Sequence, residues 1–487
     1  MSDVIERVAI CGAGAMGSGI AQVAAHAGAT VVIFDAATTA LDAGRERVAS
    51  SLNTLAKRGR LSAQERQSIL DRMSWTSSVD DMGSAQLVIE AIVEDEGIKR
   101  ILFENVERVI APHAILASNT SSLSISKLAA SLEHPTRFVG MHFFNPAQMM
   151  KLVEVVAGKD TSPSVLKTVI ATSEEWGKVA VAVADVPGFI VNRVARPLYA
   201  EAFAAMGEAA ATPEVIDHLF RSAAGFRMGP LELTDLIGQD VNYAVAQSIF
   251  DAYGGRTRYQ PQEAQASLVE AGRLGRKTGE GVYSYPVTQT APISGHEQAS
   301  ATGSSEREAY VTAFNRLMER RSSLPHEEER VDGIVVKWGE GKTASREAAL
   351  HGCDVAILDW SNGSANAPVG FAASSDAAAE TVTAMAAALD LQAFRIADRP
   401  GLLVLRTLAQ LANAACDAVS DRVADEAAID AAMRFGGNYP FGPFEWSDVI
   451  GRDHLANALS NIAEGTGSSQ YSPSSYLKKF ASVAEGA

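Results

Sequence analysis

The stretch that most constrains this chain lies at its start. Arg7 to Cys11 (RVAIC) is a short apolar run, and Gly12-Ala13-Gly14-Ala15-Met16-Gly17 follows at once. A helical pattern then runs to about Ala27, and Thr30 to Phe34 (TVVIF) is a second apolar run closed by Asp35. The G-x-G-x-x-G spacing thus sits between a strand and a helix, with an acid at the end of the strand that follows. In that context the motif opens a dinucleotide-binding fold. Gly12 permits the tight turn, Gly14 lets backbone approach a pyrophosphate at the helix N-terminus, and Gly17 lets helix and strand pack closely. Asp35 accepts from ribose hydroxyls and repels a 2′-phosphate, so the expected cofactor is NAD rather than NADP.

The pattern continues as a parallel sheet would. Gln86 to Val93 reads as a buried strand followed by Glu94, and a helix from about Ile98 to Ile110 carries Lys99. His113 to Ser118 is the next strand, left by Asn119-Thr120-Ser121-Ser122. Ligands of open parallel sheets bind outside the carboxyl ends of strands, which puts Glu94 and Ser121 in the right zone. Lys99 fits either that zone or ordinary surface, and the serines fit either helix caps or substrate contacts. Phe138 to Phe144 is then a strand, broken by Asn145-Pro146, and Lys151 to Ala157 is another. Neighbouring strands can bring His142 and Glu154 together. A carboxylate on one imidazole nitrogen fixes the tautomer and leaves the other to take or give a proton; taken alone, the two residues read first as a space-filling histidine beside a solvated Glu, and the rest of the chain decides.

Composition excludes several classes. The 487 residues are 47% hydrophobic and 21% charged, with a net charge of −16. That describes a chain with ample core and argues against a nucleic-acid surface. Cys11, Cys353 and Cys416 are far apart and form no C-x-x-C pair, so neither a disulfide framework nor a metal site is expected. No secretory leader and no apolar run of membrane-spanning length is read, and a cytoplasmic location without membrane partners is expected. Within the acidic chain, Lys57, Arg58 and Arg60 cluster, either as a solvated helix end or as a clamp for a phosphate-bearing ligand.

The second half repeats part of the first. PGFIVNR (187 to 193) matches PGLLVLR (400 to 406), and MGPLELTDLIG (228 to 238) matches FGPFEWSDVIG (441 to 451), both at a separation of 213 (187 to 400, 228 to 441). A helical module is therefore duplicated. Asn192, which interrupts an apolar run as either a satisfied core amide or a ligand contact, becomes Leu405 in the copy. Before the copy, Gly339-x-Gly341-x-x-Ala344 and Asp359 look like an echo of the opening glycine motif and Asp35, and no counterpart of HFFNP or KLVEVV is read there. The expected organisation is an α/β chain: a Rossmann-type parallel-sheet domain (1–186), an all-α helical domain (187–286), a linker with a helix (287–330), a degenerate Rossmann-like segment (331–399), and a second helical domain (400–487).

Together, GAGAMGSGIAQ, Asp35, EAIVE, SNTSS, HFFNP, KLVEVV, DVPGFIVNR, MGPLEL and GRKTGEG, in this order over about residues 5 to 286, resemble the 3-hydroxyacyl-CoA dehydrogenase family. The resemblance implies NAD-dependent oxidation of a 3-hydroxyacyl-CoA thioester. It implies His142 as base with Glu154 as orienting partner, and Ser121 and Asn192 as groups that position the C3 oxygen. Gly12, Gly14, Ala15, Met16, Gly17, Asp35, Glu94, Lys99, Ser121, Asn145 and Lys277 would contact the cofactor, and Ser51, Arg58 and Ser121 the coenzyme A thioester. The long tail resembles the longer bacterial members of phenylacetate breakdown, which act on 3-hydroxyadipyl-CoA; short members act on chains such as 3-hydroxybutyryl-CoA. A non-catalytic NAD-binding role is the reading from another class. In short members the helical module forms a dimer interface, so either a homodimer or an internal pseudo-dimer is expected.

Overall fold

The structure, a computed structural model, describes residues 5–286, 296–297, 304–320, 328–364 and 366–481. The chain forms two compact units: Met1–Val191 with Arg422–Gly437, and Asn192–Asp421 with Asn438–Ala487. The cut does not follow the expected segments, because the first unit takes in a helix from the far end of the chain. Half of the expected linker lies outside the described residues; its helix is Ser304–Arg320.

The first unit is built on eight strands: β1 (Arg7–Cys11), β2 (Thr30–Phe34), β3 (Met73–Thr76), β4 (Leu87–Glu90), β5 (Ile115–Ser118), β6 (Phe138–Phe143), β7 (Leu152–Ala157) and β8 (Val179–Ala184). Their order in the sheet is β3-β2-β1-β4-β5-β6-β7-β8. The strands through β6 pair in parallel. The direction of winding reverses between β1 and β4, the switch point at which such sheets bind ligands. Strands such as β4, β5 and β6 are buried along their whole length, as expected for a sheet covered on both faces. Between β6 and β7 only residues 144–151 intervene, too few for a crossover helix, so β7 returns antiparallel. That return sets His142 directly opposite Glu154.

The second unit holds a sheet of β9 (His296–Glu297), β10 (Glu328–Val331), β11 (Ile334–Trp338), β12 (Val355–Leu358), β13 (Val369–Ala373) and β14 (Ala393–Arg395), in the order β10-β11-β12-β13-β14-β9. Here the reading of residues 331–399 as an echo of the chain's opening is corrected. β11 and β12 are parallel, β12 and β13 antiparallel, β13 and β14 parallel, which is the pattern of β5 through β8 and not of β1 and β2. The register fixes the match. Glu154 pairs with Val181 on β8, and Gly370 pairs with Phe394, which follows Val181 at the separation of the helical copies. Asp359 stands opposite Gly370, its N–H donating to the Gly370 carbonyl, as His142 stands opposite Glu154. Asp185 accepts the amides of Ile125 and Ser126, and Asp398, at that same separation, accepts those of Ala344 and Ser345. HFFN (142–145) therefore corresponds to DWSN (359–362), and KLVEVV does have a counterpart, in β13.

Asp359 is thus the counterpart of His142 and not of Asp35. Its buried carboxylate accepts the amides of Leu403, Val404 and Leu405 at 2.7–3.0 Å. Two of these, Leu403 and Val404, match Ile190 and Val191, whose amides bind Glu154 in the first unit. With glycine in the glutamate's place, the aspartate reaches across and holds the turn alone.

The helical copies are linked reciprocally. Arg193 pairs with Asp421 and lies against Tyr253 and Tyr259. Arg406, its counterpart, pairs with Glu201 and Glu208 and lies over Tyr471. In the first unit the Ala184 amide donates to the Val423 carbonyl, and in the second the Ala397 amide donates to Ala210; the two pairs are related by the repeat, with donor and acceptor shifted in opposite directions. Each sheet is therefore covered by a helix of the other repeat: Glu426–Gly436 packs on β7 and β8, and Pro213–Ser222 lies by the second sheet, with Leu219 at Gly370 and His218 at Phe394.

Asp359→Ala is expected to leave the three amides without their acceptor, at a cost on the order of 1–3 kcal/mol for each amide that finds no water. Thermal unfolding followed by circular dichroism should show a lowered midpoint, while NADH still binds to the first unit.

Candidate active site

The glycine turn matches the roles its spacing assigns. Gly12 has a φ of +107°, and a Cβ there would lie 2.6 Å from the Ala91 carbonyl oxygen. A Cβ on Gly17 would fall 1.8 Å from the Gly12 carbonyl oxygen, so helix and turn touch only because residue 17 is glycine. At Gly14 nothing lies within 4 Å of the corresponding position. The helix Ala15–His26 that begins here has no side-chain cap, so its first amides face that opening unpaired, which suits a pyrophosphate. Asp35 closes β2 beside the turn, its carboxylate accepting the amides of Ala13 and Ala37 at 2.8 and 3.0 Å. These residues fit NAD.

A second group gathers at the ends of β4 and β5. Glu94 accepts from the Thr120 hydroxyl (2.6 Å), the Ser121 amide (3.0 Å) and the Ser122 hydroxyl (3.0 Å). Burial works against its charge, but the Thr120 bond and the Lys99 ammonium prevail and hold its pKa below the ordinary carboxylate range. Lys99 is not ordinary surface. It is 1% exposed and its ammonium lies 2.5 Å from Glu90 and 3.1 Å from Glu94. Glu90, fully buried at the end of β4, also accepts from the Ser118 hydroxyl. Lys99 thereby fixes the two strand ends from which Glu94 and Ser121 extend, and Ser121 itself is exposed.

The third group is the acid–base pair. His142 Nδ1 lies 2.7 Å from Glu154 Oε2, with the two residues 7% and 1% exposed. The other carboxylate oxygen, Oε1, accepts the amides of Ile190 and Val191 at 2.9 and 3.0 Å. Those amides are delivered by Gly188-Phe189, where Phe189 holds a φ of +46°, a strained value for a bulky residue. Leu402, its counterpart, holds +57°, so the strain belongs to the turn in both repeats. The imidazole ring lies 4.5 Å from the Phe144 ring and 5.7 Å from that of Phe189. Asn119 accepts the Phe143 amide and ties the end of β5 to β6. With Nδ1 committed to the carboxylate, Nε2 is the nitrogen left for proton transfer.

The remaining expected residues are placed as follows. Asn145 is exposed just beyond β6. Ser51 lies in the helix Thr38–Lys57 and Arg58 is its C-cap. Asn192 and Lys277 belong to the second unit. The Asn192 carbonyl accepts from Arg196, and Lys277 pairs with Asp240. Sequence reasoning missed Arg47, which donates to the Ala13 carbonyl of the glycine turn at 2.8 Å, and Glu90, whose only signal was an acid ending an apolar strand. Among the described residues no cluster of metal-ligating side chains occurs, and no helix is long and apolar enough to cross a membrane.

An open glycine turn at the switch point of a parallel sheet, with a buried His–Glu pair on the same sheet, defines a nicotinamide-dependent dehydrogenase. The particular family is given by comparison. Residues 7–186 match the model of the 3-hydroxyacyl-CoA dehydrogenase NAD binding domain, and residues 188–285 and again 401–485 match that family's C-terminal domain. The chain belongs to the 3-hydroxyacyl-CoA dehydrogenase family, whose members are NAD-dependent oxidoreductases. It is 39% identical to the 3-hydroxyadipyl-CoA dehydrogenase of Escherichia coli K12, over 99% of this chain and 98% of that one. It is 41% identical to a probable 3-hydroxybutyryl-CoA dehydrogenase of Bacillus subtilis, over 58% of this chain and 98% of the other. A crystal structure of a 3-hydroxybutyryl-CoA dehydrogenase from Escherichia coli K12 superposes with a TM-score of 0.90 at 37% identity, covering 99% of both chains.

Replacing Lys99 by Met should leave Glu90 buried without its counter-charge. Loss of one partner from a buried pair costs about 3–5 kcal/mol, so chemical denaturation of the variant should show a loss of that size.

Proposed function

We propose that this chain oxidises a (S)-3-hydroxyacyl-CoA whose acyl chain ends in a second carboxylate, 3-hydroxyadipyl-CoA, to the 3-oxo thioester, with His142 as the base. The observation that carries the chemistry is the buried contact of 2.7 Å between His142 and Glu154. Bound NAD supplies the hydride acceptor. His142 Nε2 takes the proton of the C3 hydroxyl as the C3 hydrogen is lost, and Glu154 stabilises the imidazolium that forms. Because the carboxylate is anchored by two amides, the imidazole keeps one tautomer and one orientation through the cycle. In the reductive direction the same nitrogen returns the proton to the C3 oxygen. Ser121, held through its amide by Glu94, is assigned to the C3 oxygen and the cofactor. Gly14, Ala15 and Met16 offer backbone to the pyrophosphate, Asp35 takes the adenosine ribose, and Ser51 and Arg58 take the coenzyme A moiety, where Arg58 neutralises phosphate.

Support for the dicarboxylic substrate comes from the full-length match, duplicated tail included, to the protein named 3-hydroxyadipyl-CoA dehydrogenase. A relative matched over the same share of the chain is named for 3-hydroxybutyryl-CoA, and that is the second reading. Of the arginines near the start of the helical module, Arg193 and Arg196 are committed to partners within it.

NADH consumption with varied 3-oxoadipyl-CoA or acetoacetyl-CoA separates the readings: a higher kcat/KM for the adipyl thioester supports the first, and equal values overturn the preference. His142→Ala should lower kcat by about 10² to 10⁴ while NADH affinity, read by fluorescence titration, is retained.

A further inference from the structure

We propose that Gly436, carried by the second helical module, is a positioning residue that seats the His142–Glu154 pair; the inference rests on His142 being the base. The helix Glu426–Gly436 belongs to the same compact unit as the catalytic strands and packs on β7 and β8. A Cβ on Gly436 would lie 2.5 Å from Leu152 Cδ2, 3.0 Å from Val191 Cγ2 and 3.5 Å from Phe144 Cζ. Each of those residues is one step from the pair. Leu152 opens the strand that carries Glu154. The Val191 amide is one of the two donors that hold Glu154 Oε1. The Phe144 ring lies 4.5 Å from the His142 ring.

Backbone conformation does not require glycine here. Gly436 is absent from the residues with positive φ, and its successor Gly437 has φ −87°. Glycine in a helix costs up to about 1 kcal/mol against alanine, so its use needs another reason, and close approach is the one the contacts supply. The duplicated half provides an internal control. There Asp359 replaces His142, Ser361 replaces Phe144, and the repeat places Ala223 where the first copy's strand end meets Gly436. The Asn362 amide donates to the Ala223 carbonyl at 2.7 Å, so the same helix end meets the same strand end. Where the strand end carries a phenyl ring beside the base, the helix carries glycine; where it carries serine and no base, the helix carries alanine. The second module thus contributes to the active site a surface of fixed depth against which the ring, the strand and the amide are set.

The test is turnover of the full-length enzyme with acetoacetyl-CoA, expressed per NADH-binding site so that only folded protein is counted. Gly436→Ala should lower kcat by about ten- to a hundredfold, the scale of a small misplacement of catalytic groups, with NADH affinity within about twofold of the parent. Leu152→Val added to it makes room for the methyl and should restore most of kcat. Ala223→Gly in the other half should leave turnover within about twofold. A merely structural glycine would lower the unfolding temperature with kcat per site unchanged, and that result overturns the proposal. If Gly436→Ala does not fold, Phe144→Leu, which shortens the ring facing Gly436 and leaves the helix alone, must show the same loss of kcat with NADH affinity kept; parental turnover in that variant also overturns the proposal. Full turnover in His142→Ala would instead overturn the base assignment on which the inference rests.

Discussion

The structure of the catalytic half depends on one buried carboxylate. Glu154 is 1% exposed and takes His142 on one oxygen and the Ile190 and Val191 amides on the other. A carboxylate this far from water persists as an anion only if its lone pairs are met by donors. Here one set of donors is the start of the next module and the other is the catalytic imidazole. The same group therefore ties sheet to turn and fixes the tautomer of the base. The strained φ at Phe189 is the local cost of presenting two successive amides to it.

The duplicated half separates these two functions. Asp359 keeps the amides and has no histidine; Gly370 stands where the glutamate would be. The turn survives, positive φ included, and the acid–base pair does not. The β11–β14 sheet is thus the scaffold of a catalytic half reduced to its structural duty, and the glycine-turn half, β1 to β4, has no counterpart in it among the described residues. What the second repeat gives the first is cover: the helix Glu426–Gly436 on β7 and β8, as Pro213–Ser222 covers the second sheet. Two arginines, Arg193 and Arg406, each paired with an acid of the other repeat, lock the helical copies together.

Much of this was legible in the sequence, for identifiable reasons. The glycine turn, Asp35 and the strands β1 and β2 follow from a motif whose spacing is set by steric contact. His142 and Glu154 were brought together by a proline-broken link too short for a crossover. The helical repeat was legible because its separation stays constant, without a gap. The β11–β14 repeat was not, because the separation drifts: Ile125 to Ala344 is 219, His142 to Asp359 is 217, and Glu154 to Gly370 is 216. Its key positions also changed character, acid for histidine and glycine for acid, so only hydrogen bonds and register reveal them. Sequence left Lys99 open between the ligand zone and ordinary surface because its partner Glu90 hides in an apolar strand.

Glu154 acts on catalysis by orienting His142. Glu154→Gln tests this most directly, since the amide oxygen can still accept from Ile190 and Val191 while its NH₂ group faces Nδ1 and favours the wrong tautomer. The measurement is kcat for 3-oxoacyl-CoA reduction alongside NADH affinity and unfolding temperature. A fall in kcat of about 10² or more is predicted, by analogy with other acid–base pairs whose orienting carboxylate is made neutral, with cofactor affinity retained. Parental turnover in a folded Glu154→Gln enzyme would contradict it.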